Sequence, residues 1–321
     1  MTWQKLALSL TFFALVAGAA GAGVWGQAAR REAAANANFP ATGTFVSVEG
    51  LKIHLQTMGS GPDIVLLHGA NGNLRDFTFA LMSRLAQRYR VTAFDRPGHG
   101  WSDPLPGNLS DPAAQAAILR KAAAGAGIEQ PIVVGHSYGG AVALAWALEA
   151  PEETPALVLL AGASMPWEGG VWYFYNIAAT APGRALLVPL VTAFAPTSTP
   201  DSVLVSIFAP DPVPVGYAAH IGGALTLRRA SIAANSTEIS GLKPYIARMT
   251  SRYGALTMPV ELLHGDADVT VPLKVHSAPL SGLLADANLT VLQGVGHMPH
   301  HADENAAIAA IDRAAARAGL R

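Results

Sequence analysis

Cysteine is absent from all 321 residues of the chain, and charged side chains are scarce at 13% of the total. Without cysteine the protein has no disulfide, no thiolate metal site and no cysteine nucleophile, while its redox compartment stays open. The charged fraction is about half the usual share, and a net charge of −1 provides no basic surface for nucleic acid. The chain also lacks internal repeats, and its length allows one large domain or two modest ones.

A long run without charge lies near the start of the chain. Residues 6–26 are mostly apolar and lie between Lys5 and Arg30. About 20 such residues are enough for a helix to cross a bilayer. We therefore expect residues 1–28 to form an uncleaved membrane anchor, followed by a polar, alanine-rich linker over residues 29–41.

A secretory signal is the alternative to an anchor. Residues 6–16 match the apolar part of a signal, which is usually about 7–15 residues long, and small residues follow at positions 17–22. The positive charges on the two sides of the segment balance, so the positive-inside rule sets no orientation. We expect the catalytic domain to lie outside the cytoplasm, either held by the anchor or exported after signal cleavage.

Strand and helix patterns alternate from residue 42 onward. The first two strands alternate apolar and polar residues, and the later ones are continuous apolar runs, as in strands buried on both faces. This alternation predicts an α/β fold with a mostly parallel, eight-stranded sheet and helices on both faces. The expected strands are 44–48, 51–56, 63–67, 90–94, 132–134, 156–160, 260–264 and 289–292, and the expected helices are about 74–88, 115–124, 139–150, 272–284 and 303–318.

Residues 165–258 interrupt the alternation. The segment is rich in aromatic residues and proline, including Trp167 and Trp172, and at about ninety residues it is too long for a plain loop. We expect a helical cap inserted over the strand ends, which divides the core domain into residues 42–164 and 259–321. Most of the aromatic rings should form the interior of the cap, and a few should line an apolar pocket.

The stretch Gly135-His-Ser137-Tyr-Gly139 fits the G-x-S-x-G pattern of a nucleophile elbow. The apolar strand before it and the helix after it favour an elbow over an ordinary glycine-rich turn. The serine of such a turn has a positive φ, and side chains two residues away would collide with the crossing strand and helix. The hydroxyl then lies at the positive end of a helix, close to the N–H of Tyr138. Ser137 is therefore the candidate nucleophile.

A serine nucleophile needs a base, and a carboxylate usually orients that base. Two later strand ends provide candidates, with Asp266 and Asp268 in one turn and His297 in the other. The chain order Ser, Asp, His is the one that accompanies a nucleophile elbow in this kind of fold. His300 and His301 also invite comparison with a metal site, but a triad explains His297 better, and we expect no metal and no cofactor.

The remaining histidines are interpreted as structural. His136 adjoins the candidate nucleophile, and we expect it to pack there and not to act as the base. His54, His220 and His276 have no motif around them, and we expect them at the surface or in structural positions.

Together these motifs resemble the α/β-hydrolase superfamily, and within it the capped serine esterases and the cofactor-free haloperoxidase-like branch, over about residues 42–318. The resemblance implies that the acid is the one in the G-x-x-D turn, here Asp268, with Asp266 as a neighbour that caps the turn. It also implies that the base is the histidine of G-x-G-H, here His297.

The same resemblance implies an oxyanion hole formed by the N–H groups of Ala70 and Tyr138, with Asn71 as a weaker candidate. The loop at residues 95–102 is also a landmark of the family, and we expect it to buttress the site without taking part in the chemistry.

A serine at position 137 separates the chain from the dehalogenases and epoxide hydrolases of the superfamily, which carry aspartate there. The resemblance implies an acyl-enzyme and hydrolysis of carboxylic esters with small to medium apolar acyl groups. A haloperoxidase, perhydrolase or lactonase with the same triad is the alternative, and a non-catalytic binding protein is disfavoured because no triad residue is missing. The expected partners are a small-molecule ester and the membrane, and the oligomeric state stays open.

Overall fold

The structure, a computed structural model, describes residues 3–107 and 110–321, with the side chains of all of these except residues 4–8 and 13–14. Residues 1 and 2 of the expected anchor and residues 108 and 109 of the expected core lie outside the described residues.

A twisted sheet forms the centre of the molecule. Its strands are β1 (Thr44–Val48), β2 (Leu51–Met58), β3 (Asp63–Leu67), β4 (Arg90–Phe94), β5 (Ile132–His136), β6 (Leu157–Leu160), β7 (Val260–Gly265) and β8 (Ala287–Leu292). They are ordered β1-β2-β4-β3-β5-β6-β7-β8. Strand β2 is antiparallel to β1 and β4, and the other neighbouring pairs are parallel. The predicted α/β fold with a mostly parallel sheet of eight strands is therefore confirmed.

Helices cover both faces of the sheet and form the cap. They are α1 (Trp3–Asn38), α2 (Arg75–Thr78), α3 (Leu81–Leu85), α4 (Pro112–Gly125), α5 (Tyr138–Glu149), α6 (Tyr173–Ala178), α7 (Val188–Phe194), α8 (Thr199–Phe208), α9 (Tyr217–Ile221), α10 (Arg229–Thr250), α11 (Ser277–Leu283), α12 (Pro299–Ala302) and α13 (Glu304–Arg317). A π-helical turn, Gly183–Leu187, leads into α7, and short 3₁₀ helices lie at Pro151–Glu153, Gly223–Leu227 and Tyr253–Ala255.

The continuous apolar strands are buried on both faces, as their composition predicts. In β3, Val65 and Leu67 pack with α4 and α5 on one face, whereas Ile64 and Leu66 pack with α3 and α13 on the other. All four side chains are fully buried. Because successive side chains of a strand point to opposite faces, only a strand covered on both sides needs an unbroken apolar run.

Two of the expected helices differ from the observed ones. The helix expected at about 74–88 is divided into α2 and α3, because the backbone at Ala80 leaves the helical region, with φ −149° and ψ −52°. The helix expected at 272–284 begins only at Ser277. Pro272 starts a separate turn in which its carbonyl accepts the N–H groups of Val275 and His276.

The segment expected to be a linker, residues 29–41, is helical as far as Asn38, where α1 ends. Alanine is the best helix former, and nothing in the segment breaks the helix before Pro40. The carboxyl-terminal part of α1 packs on the cap through buried Ala28 and Ala35, and Glu32 pairs with Arg229 at the start of α10.

Helix α1 is also apolar over most of its length. Its stretch Ser9–Asn38 contains 30 residues, with a mean hydropathy of 1.5 over its most apolar part, and none of that part is buried. Among the described residues, α1 is the helix that is long and apolar enough to cross a membrane. A signal sequence near an amino terminus passes the same test of length and hydropathy.

The cap lies between β6 and β7 in the chain. Helices α6 to α10 belong to this stretch, while the strands on either side are neighbours in the sheet. A large insertion is accommodated there because β6 and β7 pair in parallel and need a crossover connection in any case. We propose the division into a core of residues 42–164 and 259–321 and a cap of residues 165–258 on this basis.

Candidate active site

Ser137 occupies the sharp turn between β5 and α5. Its backbone is strained, with φ 52° and ψ −120°. A β-carbon on Gly135 would collide with the backbone of residue 139, and one on Gly139 would collide with the backbone of Leu67. The glycines of the motif are therefore required by close backbone approach, as expected from the sequence.

His297 lies within hydrogen-bonding distance of both of the other predicted residues. Ser137 Oγ is 2.9 Å from His297 Nε2, and His297 Nδ1 is 2.7 Å from Asp268 Oδ2. Because a carboxylate only accepts hydrogen bonds, Nδ1 carries the imidazole proton and Nε2 is free to accept the hydroxyl proton. This arrangement suits proton abstraction from the serine.

The carboxylate of Asp268 is held from both sides. Oδ1 accepts the N–H groups of Thr270 and Val271 at 2.8 and 2.9 Å, and Oδ2 accepts His264 Nε2 at 3.1 Å in addition to His297. Burial alone would raise the pKa of Asp268, but the hydrogen bonds from the two histidines and the Val271 N–H bring it below its ordinary value. The acid therefore stays ionised at neutral pH.

His264 is a part of the site that the sequence analysis missed. Its Nε2–H is shared between Asp268 and the carbonyl of Val271, which is 2.7 Å away, and its Nδ1 accepts the hydroxyl of Ser277 at 2.7 Å. The histidine is fully buried at the end of β7. The one signal in the sequence was its position four residues before Asp268.

The two residues expected to provide the oxyanion donors line the same cavity as the serine. Tyr138 is the first residue of α5, so its N–H has no partner within the helix. Ala70 follows β3 in the neighbouring loop and lines the same cavity as Ser137. The N–H of Asn71 donates instead to Asn235 Oδ1 in the cap, at 2.7 Å. The N–H of Asn71 is therefore occupied by a contact with the cap, which agrees with Asn71 being the weaker candidate for the oxyanion hole.

A buried ion pair supports the oxyanion loop from behind. Arg96 donates through Nε to the carbonyl of His68 at 2.8 Å and through Nη2 to that of Gly69 at 3.1 Å. Its Nη1 pairs with Glu238 of α10 at 3.0 Å, and its guanidinium lies over the ring of Tyr138, 4.5 Å from the centroid. The loop at residues 95–102 was expected to support the site, and through Arg96 it also connects the core to the cap. No motif in the sequence marked Glu238.

A cavity of about 920 Å³ lies between the core and the cap and includes Ser137 and His297 in its wall. The cap contributes Trp172, Tyr175 and Leu242. Some of the aromatic side chains of the cap thus line the pocket, as expected. The serine is only 8% exposed, so a group that reaches it from the cavity is largely removed from water.

The other histidines lie in several environments. His136 is buried, and its Nε2 donates to the carbonyl of His297 at 3.0 Å. His54 is buried against Asp95, while His220 contacts Thr78. His276 was expected at the surface or in a structural position. It lines the cavity and accepts the N–H groups of Ser164 and Met165 through Nδ1.

Comparison of the sequence with known proteins identifies a matching family model and several relatives. The family model described as "alpha/beta hydrolase fold" matches residues 62–303. An uncharacterised protein of Mycobacterium tuberculosis is 27% identical over 293 residues, which cover 85% of this chain and 81% of that protein. A 2-hydroxy-6-oxononadienedioate/2-hydroxy-6-oxononatrienedioate hydrolase of Klebsiella pneumoniae is 28% identical over 282 residues, covering 82% of this chain and 92% of that protein.

Solved structures share the fold, and one of them spans nearly the whole chain. The crystal structure of a membrane phospholipase A, described as a bacterial virulence factor, superposes with a TM-score of 0.65 at 21% identity. The match covers 97% of this chain and 99% of that chain. It therefore reaches into the amino-terminal helix as well as the core and the cap.

Proposed function

Because the chain belongs to the alpha/beta hydrolase fold family, we propose that it hydrolyses carboxylic esters of small to medium apolar acyl groups through a Ser137–His297–Asp268 triad. The observation that carries the proposal is the continuous set of hydrogen bonds from Ser137 Oγ to His297 Nε2 and from His297 Nδ1 to Asp268 Oδ2. Esterases of the same fold are among its relatives, including a pimeloyl-[acyl-carrier protein] methyl ester esterase of Nitrosomonas europaea over part of the chain.

The proposed reaction has two halves. Ser137 Oγ attacks the acyl carbonyl while His297 Nε2 takes the hydroxyl proton, and Asp268 stabilises the resulting imidazolium. The N–H groups of Ala70 and Tyr138 bind the oxyanion, a contribution typically worth about 3–4 kcal/mol per donor. His297 then protonates the leaving alkoxide, and a water activated by the same histidine releases the acid from the acyl-enzyme.

The charges around the cavity favour an uncharged substrate. Among the described residues that line it, the ionisable side chains other than histidine and tyrosine are the carboxylates Asp76 and Glu168, and there is no lysine or arginine. A dicarboxylate of the kind named for the Klebsiella relative would find no lysine or arginine side chain in this lining to bind its second carboxylate. The apolar lining provided by Trp172 and Leu242 supports an ester with an apolar acyl group.

We further propose that α1 holds the enzyme in a membrane, with the catalytic domain outside the cytoplasm. Its apolar stretch Ser9–Asn38 is long enough to span a bilayer. The contact between Glu32 and Arg229 places the cap beside the end of that helix. Export after signal cleavage is the alternative, and the amino-terminal residues of the mature protein, read by mass spectrometry, distinguish the two.

The decisive experiment compares wild type with Ser137→Ala on a series of p-nitrophenyl esters of increasing acyl length, together with lactones and amides. Turnover and labelling by a fluorophosphonate probe should both disappear in Ser137→Ala. Ser251→Ala, which alters an exposed serine at the end of α10, is the matched control and should keep both. Labelling that persists in Ser137→Ala contradicts the assignment of the nucleophile.

The haloperoxidase or perhydrolase alternative is tested on the same preparation. It requires peroxide in place of water as the acceptor of the acyl group, which turns a carboxylic acid into a peracid. When bromide is supplied, the peracid should oxidise it to hypobromite, and halogenation of an added organic acceptor should then depend on Ser137. We expect ester hydrolysis to be the faster reaction. Halogenation that exceeds ester hydrolysis under matched conditions assigns the alternative instead.

A further inference from the structure

A second group of ionisable side chains lies next to the candidate triad. Asp76 of α2 contacts two consecutive residues of α12, with His300 Nε2 3.2 Å from Oδ2 and His301 Nε2 2.8 Å from Oδ1. One ligand atom from each of the three lies within 4.8 Å of the others. We propose that Asp76, His300 and His301 bind a divalent transition-metal ion, with Zn²⁺ as the best match to two imidazoles and a carboxylate.

The separations of the donor atoms suit ligands of one ion. Zinc is bound by histidine nitrogen and carboxylate oxygen at about 2.0–2.2 Å, so two ligands in a tetrahedral site are roughly 3.4 Å apart. The two contacts to Asp76, at 2.8 and 3.2 Å, are hydrogen bonds in which each Nε2–H donates to the carboxylate. A metal ion would replace those two protons, and the atoms would move apart by only about 0.6 and 0.2 Å to reach that spacing. Asp76 lies 224 residues before His300 in the chain, so no local motif joins the acid to the two histidines.

Hydrogen-bond donors surround the carboxylate of Asp76, and besides the two histidines the hydroxyl of Tyr217 donates to its Oδ1 at 2.7 Å. Asp76 is 3% exposed. In the described part of the chain its ion-pair partners are the histidines at positions 136, 300 and 301, and no lysine or arginine. An ionised buried carboxylate is costly unless a positive charge compensates it.

His136 provides a second, independent observation. Its Nε2 is 3.0 Å from the carbonyl of His297, which can only accept a hydrogen bond, so Nε2 carries the proton and Nδ1 has a bare lone pair. That Nδ1 is buried, has no hydrogen-bond partner, and is 3.8 Å from Asp76 Oδ2. Two acceptors thus face each other across a gap of the width that a cation would fill.

The position of the cluster indicates what a bound ion would do. His300 and His301 follow His297 in the same segment, and α2, which carries Asp76, follows the loop that contains Ala70. An ion bound here would fasten the loop of the candidate base to the loop of the oxyanion hole. We therefore assign the site a positioning role, and no chemical step passes through the metal.

The site is tested on full-length protein purified in detergent, stripped with a chelator and titrated with Zn²⁺ alone by isothermal calorimetry. We expect one equivalent to bind and to raise the thermal unfolding midpoint. His301→Ala and Asp76→Asn should each weaken the Zn²⁺ Kd at least about 100-fold, because mutation of groups one step removed from a metal already costs roughly 10–100-fold. His220→Ala is the matched control, since His220 contacts Thr78 and not Asp76, and it should bind as wild type does.

The wild-type measurement alone overturns the proposal if the stripped protein binds no Zn²⁺. Binding that survives both His301→Ala and Asp76→Asn also overturns it, because the ion would then lie elsewhere. If either variant fails to fold, Co²⁺ replaces Zn²⁺ in the wild type. Visible absorption typical of tetrahedral cobalt with nitrogen and oxygen ligands supports the site, and its absence contradicts it.

Discussion

At the residue scale, Asp268 is the most heavily constrained side chain of the candidate triad. It accepts hydrogen bonds from two backbone N–H groups and from the rings of His264 and His297. Such a carboxylate cannot rotate without breaking several bonds at once. Its role follows from this rigidity, because the tautomer of His297 depends on an acceptor that stays opposite Nδ1.

Replacing Asp268 by asparagine should therefore impair chemistry more than folding. The amide can present an N–H to His297 Nδ1, which favours the wrong tautomer, and we expect kcat to fall roughly 10³–10⁴-fold. The measurement is the steady-state rate on p-nitrophenyl butyrate, with urea unfolding to show that the protein is folded. Asp266→Asn is the control, because Asp266 lies in the same turn and bonds only the exposed N–H of Gly294. Equal losses in both variants would contradict the assignment.

A second prediction at this scale concerns acid stability. Burial lowers the pKa of His276 to about 4, and its Nδ1 accepts two backbone N–H groups. The ordinary value of about 6.5 applies in the unfolded chain. Between these two pH values the unfolded state therefore binds more protons than the folded state. The contribution of a neutral His276 to stability is thus fully present above about pH 6.5 and is lost as the pH drops toward 4.

We expect His276→Gln to reduce this loss, because glutamine can still accept a hydrogen bond but does not titrate. From the two pKa values, His276 should account for a fall of about 2 kcal/mol in the free energy of unfolding when the pH drops from 7.5 to 5.0. Urea unfolding at the two pH values measures it. Some acid sensitivity should remain, because burial also lowers the pKa of His68 and His136. The prediction is refuted if the difference in unfolding free energy between the two pH values is the same in His276→Gln as in the wild type.

At this scale the sequence points to residues that lie in short motifs. Ser137 and His297 were identified because local glycines and strand ends mark them, whereas Asn235 and Glu238 were missed. Their contacts are made from the middle of a cap helix to core residues 164 and 142 positions away. Such contacts exist only once the cap has docked, so no local pattern encodes them.

At the element scale, α10 is the part of the cap that the core depends on most. It carries Glu238, which is fully buried and bonds Arg96, His99 and Gln115 of the core. Burial alone would raise the pKa of Glu238, but the Arg96 and His99 interactions keep it below its ordinary value. Since Arg96 also holds two carbonyls of the oxyanion loop, cap and oxyanion hole are joined through one ion pair.

We therefore expect Glu238→Gln to lower both stability and kcat. The change leaves Arg96 buried without a counter-charge, which typically costs about 3–5 kcal/mol, and a displaced oxyanion loop should reduce kcat more than it raises KM. Urea unfolding and steady-state kinetics give the two readings. Glu149→Gln is the matched control, because Glu149 pairs with Arg252 at the surface and should contribute at most about 1 kcal/mol.

The boundaries of elements were less predictable than their existence. Every expected strand is present, because each is either a buried apolar run or a clear alternation. The linker at 29–41 stays a prediction, and the structure adds that it is helical as far as Asn38, in keeping with its alanine-rich composition. The divided helix after β3 could not be foreseen either, because the break at Ala80 is a matter of backbone dihedral angles in a sequence with ordinary helix propensity.

At the scale of the whole molecule, α1 and the cap together define one side of the protein. Helix α7 packs against α1, and Arg31 of α1 donates to the carbonyl of Ala195 just beyond α7. Leu190 and Phe194 of α7 are nevertheless 45% and 63% exposed. Large apolar side chains beside a helix able to span a bilayer suit contact with the lipid interface.

This arrangement predicts different behaviour toward soluble and membrane-borne esters. Leu190→Gln combined with Phe194→Gln should reduce the rate on an apolar ester dissolved in phospholipid vesicles roughly tenfold. The two changes remove apolar surface that would be buried in the lipid, and a loss of about 1.4 kcal/mol in the free energy of binding to the vesicle corresponds to a factor of ten. Hydrolysis of water-soluble p-nitrophenyl butyrate should change little, since both residues lie outside the catalytic groups. Phe45→Gln, an exposed apolar residue of β1, is the control. Equal effects on both substrates would mean that these side chains stabilise the cap and do not contact lipid.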